Sequence, residues 1–147
     1  MWRVEQTFKT PAPIHRVWEV YTDPGSWPAW TPDITHGCWT VGTDCRKGSR
    51  GEVKFKGLPK GAFEIQAADP PRTFTTVTRF PIGLHIRFDH QLSATARGTR
   101  IEEQISFHGL LAPLIGLIER RRIRRNWPLA MAAMTAMAQG PATAPDR

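Results

Sequence analysis

Residues 17–32, VWEVYTDPGSWPAWTP, hold three of the chain's six tryptophans and three of its thirteen prolines. Such a stretch must end a helix and fold the chain back over a core, because proline removes amide donors while tryptophan demands burial. What precedes it alternates. Trp2, Val4, Gln6 and Phe8 share one face, and Arg3, Glu5, Thr7 and Lys9 the other, as in a half-buried strand of an antiparallel sheet. Thr10-Pro11-Ala12-Pro13 breaks that strand and opens a helix, where proline fits the first turn. Ile14, Val17, Trp18 and Tyr21 follow the i, i+3, i+4, i+7 spacing of one helical face. Asp23-Pro24 reads as the N-cap and first residue of a second short helix, ended by Pro28 and Pro32.

Beyond residue 33 short strands alternate with turns. Strands are predicted at 34–41, 50–56, 62–68, 73–80, 83–92 and 99–107, separated by turn formers such as Lys47-Gly48, Pro59-Lys60-Gly61 and Arg97-Gly98. Short loops join each to the next, so an antiparallel meander is the economical topology. A helix runs from about Leu110 to Gln139. Residues 1–139 form one domain, and 140–147 read as a flexible tail.

The 147-residue length suits a single core, and no apolar run reaches the ~18 residues of a membrane helix. The N-terminal residues lack a signal peptide's apolar core, which places the protein in the cytoplasm. There Cys38 and Cys45 are expected to be free thiols. The five histidines match no metal spacing, so no metal and no cofactor is expected. The net charge of +7 comes from 20 Lys+Arg against 13 Asp+Glu, and five arginines sit in Arg120–Arg125. Without basic–aromatic interleaving this does not point to nucleic acid.

The order strand, two short helices, six strands, long helix resembles the START-like (SRPBCC, polyketide cyclase/dehydrase) superfamily. The residues that carry the resemblance are Val17-Trp18, Asp23, Trp27-Pro28-Ala29-Trp30, Pro32, Gly48, Gly51, Asp69-Pro70-Pro71-Arg72 and Gly98-Thr99-Arg100-Ile101. The resemblance implies an α+β helix-grip fold, a curved antiparallel sheet of about seven strands wrapped around the C-terminal helix. It further implies a ligand cavity between sheet and helix, and functions from lipid or polyketide binding to cyclisation and dehydration. It supplies no universal catalytic motif.

In that fold the apolar strand faces point inward. Val53 and Phe55 share a face, as do Phe63, Ile65 and Ala67; Leu84, Ile86, Phe88, His90 and Leu92; and Ile101, Glu103, Ile105 and Phe107. Trp39 and Val41 are assigned inward on their strand. His90 and Glu103 interrupt these faces. Hairpin pairing puts His90 opposite Glu103 or Ile101, depending on a two-residue choice of register, and Gln6 is a third inward polar group. A histidine and a carboxylate in an apolar cavity suit ligand hydrogen bonding or proton transfer, and they also suit simple pairing with each other. The expected ligand-binding set is Gln6, Trp39, Phe55, Phe63, Phe88, His90, Glu103, Ile105, Phe107, Leu114, Ile118 and Trp127. Trp18 reads as core, and Trp27 and Trp30 as anchors of the bend or caps of the cavity.

The C-terminal helix shows a change of phase. At 100° per residue, Leu111, Leu114, Ile115 and Ile118 lie roughly 170° from Ile123, Trp127, Ala130, Met134 and Met137. The helix therefore breaks, or is covered on both sides, or begins with a separate apolar lid at Leu110–Ile118. With Arg120–Arg125 that segment also suits weak contact with an anionic membrane. Three functions follow. The first is binding of a small hydrophobic ligand (lipid, isoprenoid or polyketide-like aromatic). The second is cyclase or dehydratase chemistry by His90 and Glu103. The third is a lipid-handling or partner-binding role for Leu110–Arg125.

Overall fold

The computed structural model of the protein describes residues 2–140. Strand β1 (Trp2–Thr10) leads into helix α1 (Ile14–Tyr21), a single 3-10 turn (Pro24–Ser26) and helix α2 (Trp27–Trp30). Strands β2 (Ile34–Val41), β3 (Arg50–Phe55), β4 (Gly61–Asp69), β5 (Thr73–Phe80), β6 (Leu84–Thr95) and β7 (Gly98–Gly109) follow, then helix α3 (Ala112–Gln139). The Asp23 side chain accepts a hydrogen bond from the Gly25 amide at 3.1 Å, the cap that the Asp-Pro pair foretold. The expected tail lies outside the described residues except for Gly140, the C-cap of α3.

One antiparallel sheet has the order β1-β7-β6-β5-β4-β3-β2, the meander closed by β1 on β7. Because β1 and β2 are opposite edges, the connection through α1 and α2 must cross the whole sheet. That crossing carries the Trp/Pro segment over the concave face. Two devices hold it there. The Thr99 hydroxyl donates to the Ala12 carbonyl at 2.8 Å, and Gly98, at φ +148°, presses against Thr10 and Pro11 backbone where any side chain would collide.

Helix α3 is continuous, so no separate flap exists between residues 112 and 139. The change of phase has a simpler cause. Its buried residues are Ala112, Gly116, Ala130, Met131, Met134 and Ala138, and these continue the Ile123–Trp127 side without a break. Small residues carry the inward stripe in the first two turns, and a hydrophobicity-based projection passes over them. A Cβ on Gly116 would lie 2.5 Å from the Trp2 ring, so glycine permits that approach. Pro128, which removes one amide donor, sits on the exposed side.

The apolar core is split. One cluster joins Val17, Tyr21, Trp30, Phe74 and Ile101 to the second half of α3, through Met131 and Met134. The other joins Phe80, Ile86, Ile105 and Phe107 to Ala112. Between them lies an open space.

Candidate functional site

The space is a cavity of ≈ 170 Å³ under α3. Its wall draws on both core clusters: Tyr21, Trp30, Phe74, Ala130 and Met131 from one, Ile86, Ile105, Phe107, Phe55, Phe88 and Ile123 from the other. Such a volume is of the order of the ~150 Å³ voids that hold one aromatic ring.

The polar floor follows from register. Gln6, Glu103, His90 and Phe74 stand directly opposite one another across β1, β7, β6 and β5, so their side chains share one face. Of the two registers open to the hairpin, the tight turn at Ala96-Arg97 selects the one that pairs His90 with Glu103. Tyr21, from the end of α1, donates its hydroxyl to Glu103 Oε2 at 3.1 Å. Phe74 stacks on the His90 ring with centroids 4.1 Å apart, and Tyr21 meets it edge-on at 4.9 Å. His90 Nδ1 is 3.1 Å from Glu103 Oε2, yet no aligned hydrogen bond joins them.

Burial dominates the electrostatics. It pushes the Glu103 carboxyl up to about 7, against the opposing pull of the Tyr21 hydroxyl. It pushes His90 down to about 3, with Asp89 opposing. It raises Tyr21 well above its ordinary value, helped by Glu103. The histidine is therefore neutral near pH 7, and its contact with Glu103 is not an ion pair. Glu103 is a carboxyl poised to hold or release a proton at neutral pH.

Among the described residues, three buried side-chain nitrogens lack a partner: Gln6 Nε2, His90 Nδ1 and Trp127 Nε1. Gln6 and His90 flank Glu103 in the sheet, and Trp127 on α3 lines the same cavity as Glu103. An unpaired buried polar atom costs ~1–3 kcal/mol, so the two that line the cavity beside Glu103, on His90 and Trp127, mark a place built to receive a polar group.

Charged groups otherwise stay at the mouth, where Asp33, Lys56, Glu119 and Arg122 line the rim. Two links tie α3 to the loops facing it. Asn126 Nδ2 donates to both carboxylate oxygens of Asp33 at 2.9 and 3.1 Å. Arg122 Nη1 donates to the Lys56 carbonyl and to Glu119 Oε1, each at 3.3 Å.

Of the expected ligand-binding residues, Phe55, Phe63, Phe88, His90, Glu103, Ile105, Phe107 and Trp127 line the cavity. Four do not. Leu114 and Ile118 point outward, 55% and 58% exposed, because Ala112 and Gly116 take the inward side. Trp39 packs edge-on against Phe63 at 5.6 Å, outside the cavity, while Val41, past a bulge in the β2–β3 register, is 53% exposed. Gln6 lies in the floor's row of residues but is not part of the cavity wall. Trp27 and Trp30 do both jobs proposed for them. Their indole nitrogens donate to the Tyr21 carbonyl and the Ser26 hydroxyl at 3.0 and 3.1 Å, and their rings line the cavity. Tyr21 was read from sequence only as one position of a helix face; its place opposite Glu103 depends on pairing 82 residues away. Asp33 and Asn126 carried no sequence signal.

Cys38 and Cys45 are free thiols, and burial raises Cys45 to about 12. Contrary to the reading of scattered histidines, His36, Cys38 and Glu52 bring donor atoms within 4.8 Å of one another on β2 and β3, with Lys60 Nζ 3.4 Å from Glu52. That group is exposed or half-buried and lies away from the cavity.

A curved sheet gripping one long helix over an apolar cavity with a polar floor defines the helix-grip class of ligand-cavity proteins. Residues 1–139 match the family model described as polyketide cyclase / dehydrase and lipid transport, and the chain belongs to that family. Solved structures share the fold. A Nitrosomonas europaea protein superposes with a TM-score of 0.72 at 14% identity, covering 94% of each chain. The structure of Ara h 8.0201 gives 0.72 at 18% identity, covering 94% of this chain and 98% of that one. DynU16, from the dynemicin biosynthetic locus, gives 0.69 at 19% identity, covering 99% of this chain and 51% of its own. No curated protein matches the sequence.

Proposed function

We propose that the protein binds a small, largely apolar molecule in the cavity under α3, with one neutral hydroxyl or carbonyl of that molecule seated at Glu103. The observation that carries this reading is the pair of unpartnered nitrogens, on His90 and Trp127, beside a buried carboxyl at the floor of an otherwise apolar space. A hydroxyl can donate to Glu103 and accept from the Trp127 indole, and a carbonyl can accept from both the indole and the protonated carboxyl. An anionic group would have to sit beside Glu103 with no cation on the floor to offset it, a burial that costs several kcal/mol. The family description, which spans cyclase, dehydrase and lipid transport, supports a hydrophobic ligand without choosing among them. Native mass spectrometry of the purified chain tests the proposal. A bound small molecule that leaves on denaturation and carries a hydroxyl or carbonyl is the expected result; a floor occupied only by water argues against it.

A second reading is favoured by the Glu103 carboxyl alone. A group that titrates near 7 beside a substrate carbonyl is suited to move a proton in a cyclisation or dehydration. The released molecule, incubated with the protein in deuterium oxide, separates the two. A carrier returns it unlabelled. An enzyme exchanges the carbon-bound hydrogens next to the carbonyl, and Glu103→Gln abolishes the exchange.

A further inference from the structure

The first two turns of α3 expose what their sequence seemed to reserve for a core. Leu110, just before the helix, is 98% exposed, and Leu114, Leu117 and Ile118 are 55, 67 and 58% exposed. Ile82, 39% exposed, extends this surface, because the Gly83 carbonyl packs against Gly109 and so sets the β5–β6 turn beside Leu110. These are five of the eight large apolar side chains exposed among the described residues, and they lie at one end of the molecule. Contiguous apolar exposure of this kind marks a contact surface.

The next turns of the same helix face are basic. On a 100° projection Leu114, Ile118, Arg121 and Arg125 fall within an arc of roughly 60°. Arg120, Arg121, Arg124 and Arg125 are all exposed, and none of the four has a carboxylate within ion-pair distance among the described residues. Arg122, by contrast, is turned to the cavity rim and paired with Glu119. The surface is thus an apolar end followed by four exposed guanidinium groups that have no carboxylate partner among the described residues, Arg125 donating only to the neutral Asn126 Oδ1 at 3.4 Å.

We propose that this face of α3 docks on an anionic lipid bilayer. Leu110, Leu114, Leu117 and Ile118 enter the interface, and the arginines after them contact lipid phosphates. Guanidinium groups match phosphate in charge and in forked geometry. A second copy of the chain carries the same positive charge and offers these arginines no counter-charge on this face, whereas lipid phosphate does. No described helix is long and apolar enough to cross a membrane, so the helix lies on the surface. The neighbouring flank of the helix carries Glu119, Arg122 and Asn126, which border the cavity mouth, so docking sets that mouth beside lipid.

Flotation of the intact chain with vesicles tests this without knowledge of any cavity ligand. The probes are vesicles of phosphatidylcholine alone and of equal parts phosphatidylcholine and phosphatidylglycerol. Binding is expected only to the anionic vesicles and is expected to fall as salt rises. Arg121→Gln with Arg125→Gln should weaken it about 25-fold at low salt, about five-fold for each arginine removed. Leu117→Ser with Ile118→Ser should weaken it at least 10-fold. All four side chains are exposed, and an unchanged melting temperature establishes that the variants are folded. The proposal is overturned by any of three results: no binding to anionic vesicles, binding that survives Leu117→Ser with Ile118→Ser unchanged, or a dimer in sedimentation velocity that those serine substitutions dissolve.

Discussion

Glu103 and His90 carry opposite pH dependences, and their sum is a specific expectation. The Glu103 carboxyl is raised from 4.5 to about 7 in the fold. Between those values the folded protein binds a proton that the unfolded chain has lost, so this residue makes stability fall as pH rises toward 7. His90 is lowered from 6.5 to about 3, so between those values the unfolded chain holds the extra proton and stability rises with pH. From about 4.5 to 6.5 the two slopes oppose each other. Below that window histidine wins and stability drops with acid; just above it glutamate wins. Glu103→Gln removes one slope. Relative to the native protein it should gain about 3 kcal/mol between pH 4.5 and 8, from ~1.4 kcal/mol per unit of pKa shift. Urea unfolding of both at those two pH values measures it, and an equal difference at both would mean that Glu103 is not raised. Tyr21→Phe should act on the same carboxyl, from α1. It leaves Glu103 Oε2 without its hydroxyl donor, and a loss of about 1–3 kcal/mol in the same assay is expected.

At the scale of elements, α3 is the instructive case. The strand faces were legible because period-two alternation survives single polar interruptions, so His90 and Glu103 stood out on otherwise apolar faces. The start of α3 was misread because large apolar residues sat on its outer side and Ala112 and Gly116 on its inner side. Burial there is set by how closely the backbone can approach Trp2, which a hydrophobicity pattern does not record. This gives a contest of magnitudes. Gly116→Ala would gain about 1 kcal/mol from helix propensity, yet the new Cβ meets the Trp2 ring, and overpacking costs about 1–3 kcal/mol. The collision should win, so the variant is expected to melt lower than the native protein. A higher melting temperature would show that the ring yields freely. The strap across the mouth was equally hidden from sequence, since Asp33 and Asn126 are 93 residues apart. Asn126→Ala removes two hydrogen bonds that hold α3 to the α2–β2 loop. A bound probe should then escape several-fold faster in stopped-flow displacement, with little change at the floor.

For the whole molecule, the order of elements was enough to reach the topology. Each strand from β2 onward joins its neighbour by a short loop, and only β1 needs a distant partner, which the closing strand β7 supplies. The cavity was less legible, because it is a property of what the two core clusters leave unfilled. Ile86 and Ala130 read as ordinary apolar-face residues, and only the assembled sheet and helix leave a space of ≈ 170 Å³ between them. That space is the basis of the functional reading, and it can be tested directly. In a calorimetric titration with 4-methylphenol, a single aromatic ring with one hydroxyl, the native chain should show one saturable site. Ala130→Phe, which places a ring inside the space, should abolish it while the protein stays folded by circular dichroism. Absence of saturable binding to the native chain, or binding that Ala130→Phe leaves unchanged, would contradict a ligand site under α3.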